Sequence, residues 1–140
     1  MKRVGFSGTP LLKKLGIKNG FKIFLVQVPK NYFKLLGKLP EGVEIATSLK
    51  SPLDFIHFFT QSRAEFEKKI TGLKKALVPN GMLWISWPKT ASKVPTDMSD
   101  NVVRNFALKN GLVDIKVCAV DETWSGLKLV IPVKNRKKLN

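Results

Sequence analysis

Apolar runs and polar punctuation alternate along the chain, and their order predicts helices and strands in turn. Thr9 before Pro10 predicts a helix N-cap with proline at the first helical position, and Gly16 suits the left-handed residue after Leu15, so a short helix spans Pro10 to Leu15. Phe21 to Val28, FKIFLVQV, reads as a strand covered on both faces and is expected to be the first, central strand. A short helix Tyr32–Leu36 follows, ended by Gly37 and Pro40-Glu41-Gly42, and a second strand runs from Val43 to Ser48.

The next run, Leu53 to Thr60, is another buried strand. Ser62 with Glu65 three residues later forms a capping-box pattern, and Phe66, Ile70, Leu73 and Leu77 recur at helical spacing while Glu67, Lys68, Lys74 and Lys75 fall mainly on the outer side. Pro79-Asn80-Gly81 is expected to stop that helix before the strand Met82–Trp87. A polar loop Pro88–Pro95 then leads to a helix from about Asp97 to Asn110, with Val102, Val103, Phe106 and Ala107 inward and Gly111 ending it. Leu112–Thr123 and Leu127–Val133 read as two strands around Trp124-Ser125-Gly126, a connection short enough only for an antiparallel hairpin.

Alternating strands and helices with a terminal hairpin predict a three-layer, Rossmann-like α/β fold with a mostly parallel sheet and helices on both faces. At 140 residues, 44% hydrophobic and 25% charged, the chain has the size and composition of one globular domain. One α/β domain over 1–133 and a basic, flexible tail over 134–140 are expected. A single cysteine, Cys118, excludes an internal disulfide and a cysteine-based metal site. No stretch has signal-peptide length or approaches the ~20 apolar residues of a membrane span, so a cytoplasmic location is expected. The formal charge of +15 predicts attraction to nucleic acid or another polyanion, although the cations are mostly scattered lysines, with only Arg3, Arg63, Arg104 and Arg136 able to make forked contacts.

Ile70 to Ile85, ITGLKKALVPNGMLWI, resembles the helix, turn and strand of the class I S-adenosylmethionine-dependent methyltransferases, and the final hairpin is similar to their reversed edge strand. A second resemblance rests on Ser7–Leu11 with Lys13–Gly16, on Met82–Asp97 (MLWISWPKTASKVPTD) and on Leu112–Val130 (LVDIKVCAVDETWSGLKLV). These segments resemble a family of small bacterial proteins defined only as a domain of unknown function. That likeness supports the fold and boundary readings and leaves the activity open; against the full methyltransferase layout the chain is a shortened version, without the second-strand helix and one strand.

The cofactor site of such a fold needs a glycine turn after the first strand and an acid at the end of the second. Here the turn reads Val28-Pro29-Lys30-Asn31-Tyr32, the second strand ends Ala46-Thr47-Ser48-Leu49, and Glu44 lies at the wrong end. No cofactor is therefore expected, S-adenosylmethionine included.

Ligands of open α/β sheets bind outside the carboxyl ends of the parallel strands, which directs attention to the loops beginning at Pro29, Gln61 and Pro88. Trp87, Lys89, Thr90, Ser92, Lys93 and a helix start at Asp97, with Lys30 and Arg63 nearby, form the candidate site for an anionic ligand; a solvated loop with an N-cap is the competing reading. Asp121, Glu122, Thr123 and Trp124 are expected to shape the hairpin turn. His57, alternating with Phe55 and Phe59, is expected to pack in the sheet, as are Cys118 and Trp84. The leading expectation is a non-catalytic methyltransferase-like domain that binds an anionic partner. The rivals are a reduced methyltransferase with an atypical cofactor site, a transferase using Lys89, Lys93 and Asp97, and a protein-interaction module.

Overall fold

The computed structural model describes residues 10–50 and 52–136. Among these, six strands form one sheet: β1 (Lys22–Val26), β2 (Glu44–Ile45), β3 (Leu53–Phe59), β4 (Leu77–Pro88), β5 (Val113–Ala119) and β6 (Trp124–Val130). Their spatial order is β2-β1-β3-β4-β6-β5, with β2, β1, β3 and β4 parallel and β6 antiparallel to both β4 and β5. Helices α1 (Leu11–Leu15) and α2 (Tyr32–Leu36) cover one face, and α3 (Arg63–Ala76) and α4 (Asp100–Lys109) the other. The mixed α/β sheet with its antiparallel hairpin is the predicted one. Among the described residues no helix is long and apolar enough to cross a membrane.

Strand alternation divides the core. Phe55, Phe59 and Trp84 pack towards α1 and α2, while Ile56, Phe58, Leu83 and Ile85 pack towards α3 and α4. Burying side chains of this size contributes about 1.5–3 kcal/mol each. The polar edge of Trp84 is satisfied as well, its indole Nε1 donating to the Leu15 carbonyl at 3.0 Å and so tying α1 to the sheet.

Several boundaries differ from expectation. Strand β1 is not central: β2 and β3 flank it, and β3 and β4 hold the middle of the sheet. Pro79-Asn80-Gly81 does not separate helix from strand, because α3 ends at Ala76 and β4 begins at once. The extra residues form an irregularity in which the β3–β4 register passes from Leu53↔Leu77 to Phe55↔Met82. A Cβ at Gly81 would lie 3.1 Å from the Leu53 carbonyl oxygen, so close backbone approach is what this glycine serves. The hairpin turn also sits earlier than expected. Trp124-Ser125-Gly126 is already strand, paired with Pro88, Trp87 and Ser86, and Asp121 Oδ1 shapes the turn by accepting from the backbone N–H groups of Thr123 and Trp124, both at 2.8 Å.

At the N-terminus Pro10 occupies the cap position of α1, Gly16 takes the expected left-handed conformation, and the proposed Thr9 cap lies outside the described residues. At the other end β6 stops at Val130 rather than Val133, a 3-10 turn spans Val133–Asn135, and Arg136 Nε donates to the Ile131 carbonyl at 2.8 Å.

Candidate functional site

The chain leaves β1 through α2 to β2 on one side and returns to β3 on the other, so the strand order reverses between β1 and β3. The carboxyl ends of these two strands bound the crevice where open α/β sheets bind ligands. Gln27, the residue after β1, takes φ 57°, a left-handed conformation that glycine adopts without cost. Its Nε2 crosses the crevice to donate to the Phe59 carbonyl at 2.7 Å and to Glu65 Oε1 at 3.1 Å.

Thr60, buried at the end of β3, donates its hydroxyl to Glu65 Oε1 at 2.5 Å and accepts from the Ser62 N–H at 3.0 Å. Only half of the predicted capping box forms. Ser62 Oγ accepts from the Glu65 N–H at 3.1 Å, but the Glu65 carboxylate turns to Thr60 and Gln27 rather than back to the cap. The Thr60 hydroxyl holds the Glu65 carboxyl below its usual pKa; desolvation opposes this, and the Gln27 amide and Lys69 ammonium reinforce it. The crevice is thus edged by an ionised carboxylate whose Oε1 is held by the neutral Thr60 and Gln27 donors and whose Oε2 pairs with Lys69 at 3.5 Å.

Beneath the crevice lies a polar chain within the apolar layer. Tyr32 Oη is 2.9 Å from His57 Nδ1, and His57 Nε2 is 2.8 Å from Ser86 Oγ, with all three residues buried. Phe59 stacks at a tilt on the imidazole, ring centroids 4.3 Å apart. Burial lowers the His57 pKa to about 3 and raises that of the Tyr32 phenol, so both are neutral near pH 7. His57 packs in the sheet as expected. Its partners sit 25 and 29 residues away, which the linear sequence does not signal.

The loop after β4 brings together part of the predicted anion site. Trp87, Lys89, Thr90 and Lys93 line an open cavity of about 520 Å³ together with Ser99 and Val117. Ser92 instead stabilises the loop, donating to the Lys89 carbonyl at 2.7 Å and accepting from the Val94 N–H at 3.2 Å. Asp97 does not start the following helix. Ser99 caps α4 by accepting from the Val102 N–H, and Asp97 Oδ1 accepts from the Arg63 N–H at 2.7 Å, at the first residue of α3. Thr96 Oγ1 donates to the Gln61 carbonyl at 2.6 Å, so the loops after β3 and β4 are stitched together. The Arg63 side chain pairs with Glu67 at 2.9 Å, and Lys30 stands exposed in the β1–α2 connection; neither lines the cavity.

Two sites sequence reasoning passed over are Gln27 and Thr60. Both fell within the runs read as strands, Phe21–Val28 and Leu53–Thr60; the strands end at Val26 and Phe59, which places these polar residues at the border of the switch-point crevice.

This arrangement is a Rossmann-like fold with a six-stranded sheet among the described residues, the fold shared by solved S-adenosylmethionine-dependent methyltransferases. A SAM-dependent methyltransferase from Aquifex aeolicus is similar over 86% of this chain and 87% of its own, with a TM-score of 0.57 and 19% identity. Magnesium protoporphyrin IX methyltransferase (ChlM) from Synechocystis, solved with bound SAM, is similar over 86% of this chain and 74% of its own, with a TM-score of 0.55 and 9% identity. N-methyltransferase NodS from Bradyrhizobium japonicum matches over 86% and 89%, with a TM-score of 0.53 and 12% identity. No family model and no curated protein sequence matches the chain, so the resemblance to the small bacterial family of unknown function gains no support from them. The expectation of no cofactor does not stand against these structures, because the fold this chain adopts is the one that holds SAM in the Synechocystis enzyme.

Proposed function

We propose that the chain is a reduced S-adenosylmethionine-dependent methyltransferase domain with an atypical cofactor site. The observation that carries this reading is the match to the Aquifex aeolicus methyltransferase, which extends over 86% of this chain and 87% of that enzyme. The crevice between β1 and β3 suits the cofactor in two respects. Gln27 supplies, without glycine, the left-handed backbone that a tight turn after β1 requires. The ionised Glu65 carboxylate, held by Gln27 and Thr60 on one oxygen and paired with the partly exposed Lys69 on the other, would serve as counter-charge to a cationic ligand such as the sulfonium cofactor or its amino group by exchanging that surface ion pair. Past β2, where an acid is missing, the exposed Thr47 and Ser48 hydroxyls are the groups that would meet ribose. When bound, S-adenosylmethionine supplies an activated methyl group; the chain's part is to bind it, orient it and keep Glu65 charged.

Calorimetric titration with S-adenosylmethionine and S-adenosylhomocysteine tests this. Saturable binding of both, weakened about tenfold or more in Glu65→Gln by loss of a charged contact, is the expected result. Absence of heat with either ligand overturns it. The formal charge of +15 favours a second reading, an anionic partner, whether or not a cofactor binds.

A further inference from the structure

The antiparallel end of the sheet carries a charge arrangement that fold stability does not explain. Lys116 on β5 and Lys128 on β6 stand directly opposite each other in the hairpin register. Lys128 is also in register with Trp84 of β4, on the face that α1 and α2 only partly cover. Lys116 Nζ reaches the Lys14 carbonyl at the end of α1, at 3.3 Å, and Lys18 follows in the exposed segment beyond that helix. Burial first, then the Lys116 and Lys18 ammonium groups, lowers the Lys128 pKa. Like charges directly across a strand pair repel and destabilise the hairpin.

The ion pairs among the described residues are Arg63–Glu67, Lys69–Glu65, Arg104–Asp100 and Arg104–Asp114; none includes Lys18, Lys116 or Lys128. Asp114, two residues from Lys116, is held by Arg104 at 3.0 Å. An external anion bridging the two strands would turn a repulsive pair into two attractive contacts.

We infer that Lys18, Lys116 and Lys128 form a docking surface for the phosphate backbone of nucleic acid, read without regard to sequence. Lysine ammonium groups act as point charges and suit phosphates spaced along a strand, whereas base recognition favours the arginine fork, which this surface lacks. A membrane surface fits less well. The exposed Val117 follows Lys116 along β5 and pairs with Leu127, so it points to the opposite face and does not stand beside the lysines for insertion into a bilayer.

The test is fluorescence anisotropy of a short labelled DNA duplex and the matching RNA duplex across a salt series, using the full chain. Lys116→Gln with Lys128→Gln is compared with Lys68→Gln plus Lys75→Gln, which removes the same charge from exposed positions of α3. The first pair is expected to weaken binding about tenfold or more at low salt and to flatten the log–log salt slope by roughly two, since each phosphate contact contributes about 0.9. Its melting temperature should hold or rise, because the repulsive pair is gone. The second pair should leave the slope nearly unchanged. Equal losses in both variants, no duplex binding by the wild-type chain at low salt, or binding to phosphatidylserine vesicles in place of the duplexes would each overturn the assignment. Cofactor binding is read separately and does not enter this outcome.

Discussion

The Tyr32 hydroxyl stands 2.9 Å from Nδ1 of His57, and this one hydrogen bond fastens the first residue of α2 to the middle of β3. Ser86 closes the other side of the ring at 2.8 Å, so a neutral imidazole finds both of its partners within the core. Either tautomer is served, because each hydroxyl can donate or accept.

Acid should destabilise the protein through His57. Its folded pKa of about 3 lies below the unfolded value of 6.5, so the unfolded chain takes up a proton that the folded chain excludes. The stability is intact above the unfolded pKa and falls by up to about 1.4 kcal/mol per pH unit as pH drops towards 3. Urea unfolding of wild type and His57→Gln between pH ~7 and ~5 isolates this contribution from that of the carboxylates. The difference between the two proteins should change with pH; a constant difference would mean that the imidazole titrates freely in the fold.

Removing Asp97 should loosen α3 rather than α4. Asp97→Ala deprives the Arg63 N–H of its acceptor and should cost about 1 kcal/mol, in the range of lost helix caps. Amide hydrogen exchange locates the effect. Faster exchange in the first turn of α3, with the first turn of α4 unchanged, is expected; the reverse pattern would restore Asp97 to α4.

Gln27 separates backbone strain from side-chain bonding. Gln27→Ala keeps the left-handed backbone strained and deletes the bonds to Phe59 and Glu65, while Gln27→Gly deletes the same bonds and relieves the strain. Chemical denaturation should therefore rank Gly above Ala by roughly 1 kcal/mol. Equal stabilities would indicate that φ at this position is not positive in solution. On the cofactor reading, the glycine variant also opens the crevice and should bind S-adenosylmethionine more tightly than the alanine variant.

Two glycines should respond in opposite directions to alanine. At Gly126 a Cβ would meet Trp84 Cε3 at 3.2 Å and both Ser86 Oγ and Val120 Cγ2 at 3.3 Å, so Gly126→Ala should cost about 1–3 kcal/mol by overpacking. Gly72 lies within α3 with only Leu49 Cδ2 near, at 3.9 Å, and Gly72→Ala should stabilise by about 0.5–1 kcal/mol. Thermal melts of the two variants check the pair. A matching sign would contradict the β6–β4 packing described above.

Short-range signals were legible in the sequence because their physics acts over a few residues. Ser62 caps its helix, Gly16 is left-handed, and the runs around Ile23, Phe58 and Ile85 are strands, each set by a local hydrogen bond, a local φ preference or a continuous apolar stretch. The boundaries that moved did so where packing outweighed punctuation. Pro79-Asn80-Gly81 reads as a stop, yet pairing with β3 draws it into β4 as an irregular stretch.

The candidate site was only partly legible. Lys89, Thr90 and Lys93 do share a cavity with Trp87, since they lie in one loop. Asp97 and Arg63 meet through a hydrogen bond from the Arg63 backbone N–H to the Asp97 carboxylate that spans 34 residues, and Glu65 finds Gln27 across 38.

By itself, then, the sequence determined the order of helices and strands, the α/β class, the faces that must be buried and the large positive charge. Only the tertiary structure decided which polar groups meet: Gln27 with Glu65, Tyr32 with His57, Lys116 with Lys128. Propensity and periodicity are properties of neighbouring residues. Meetings between distant ones depend on strand order and register, which arise only when all the apolar faces are packed at once.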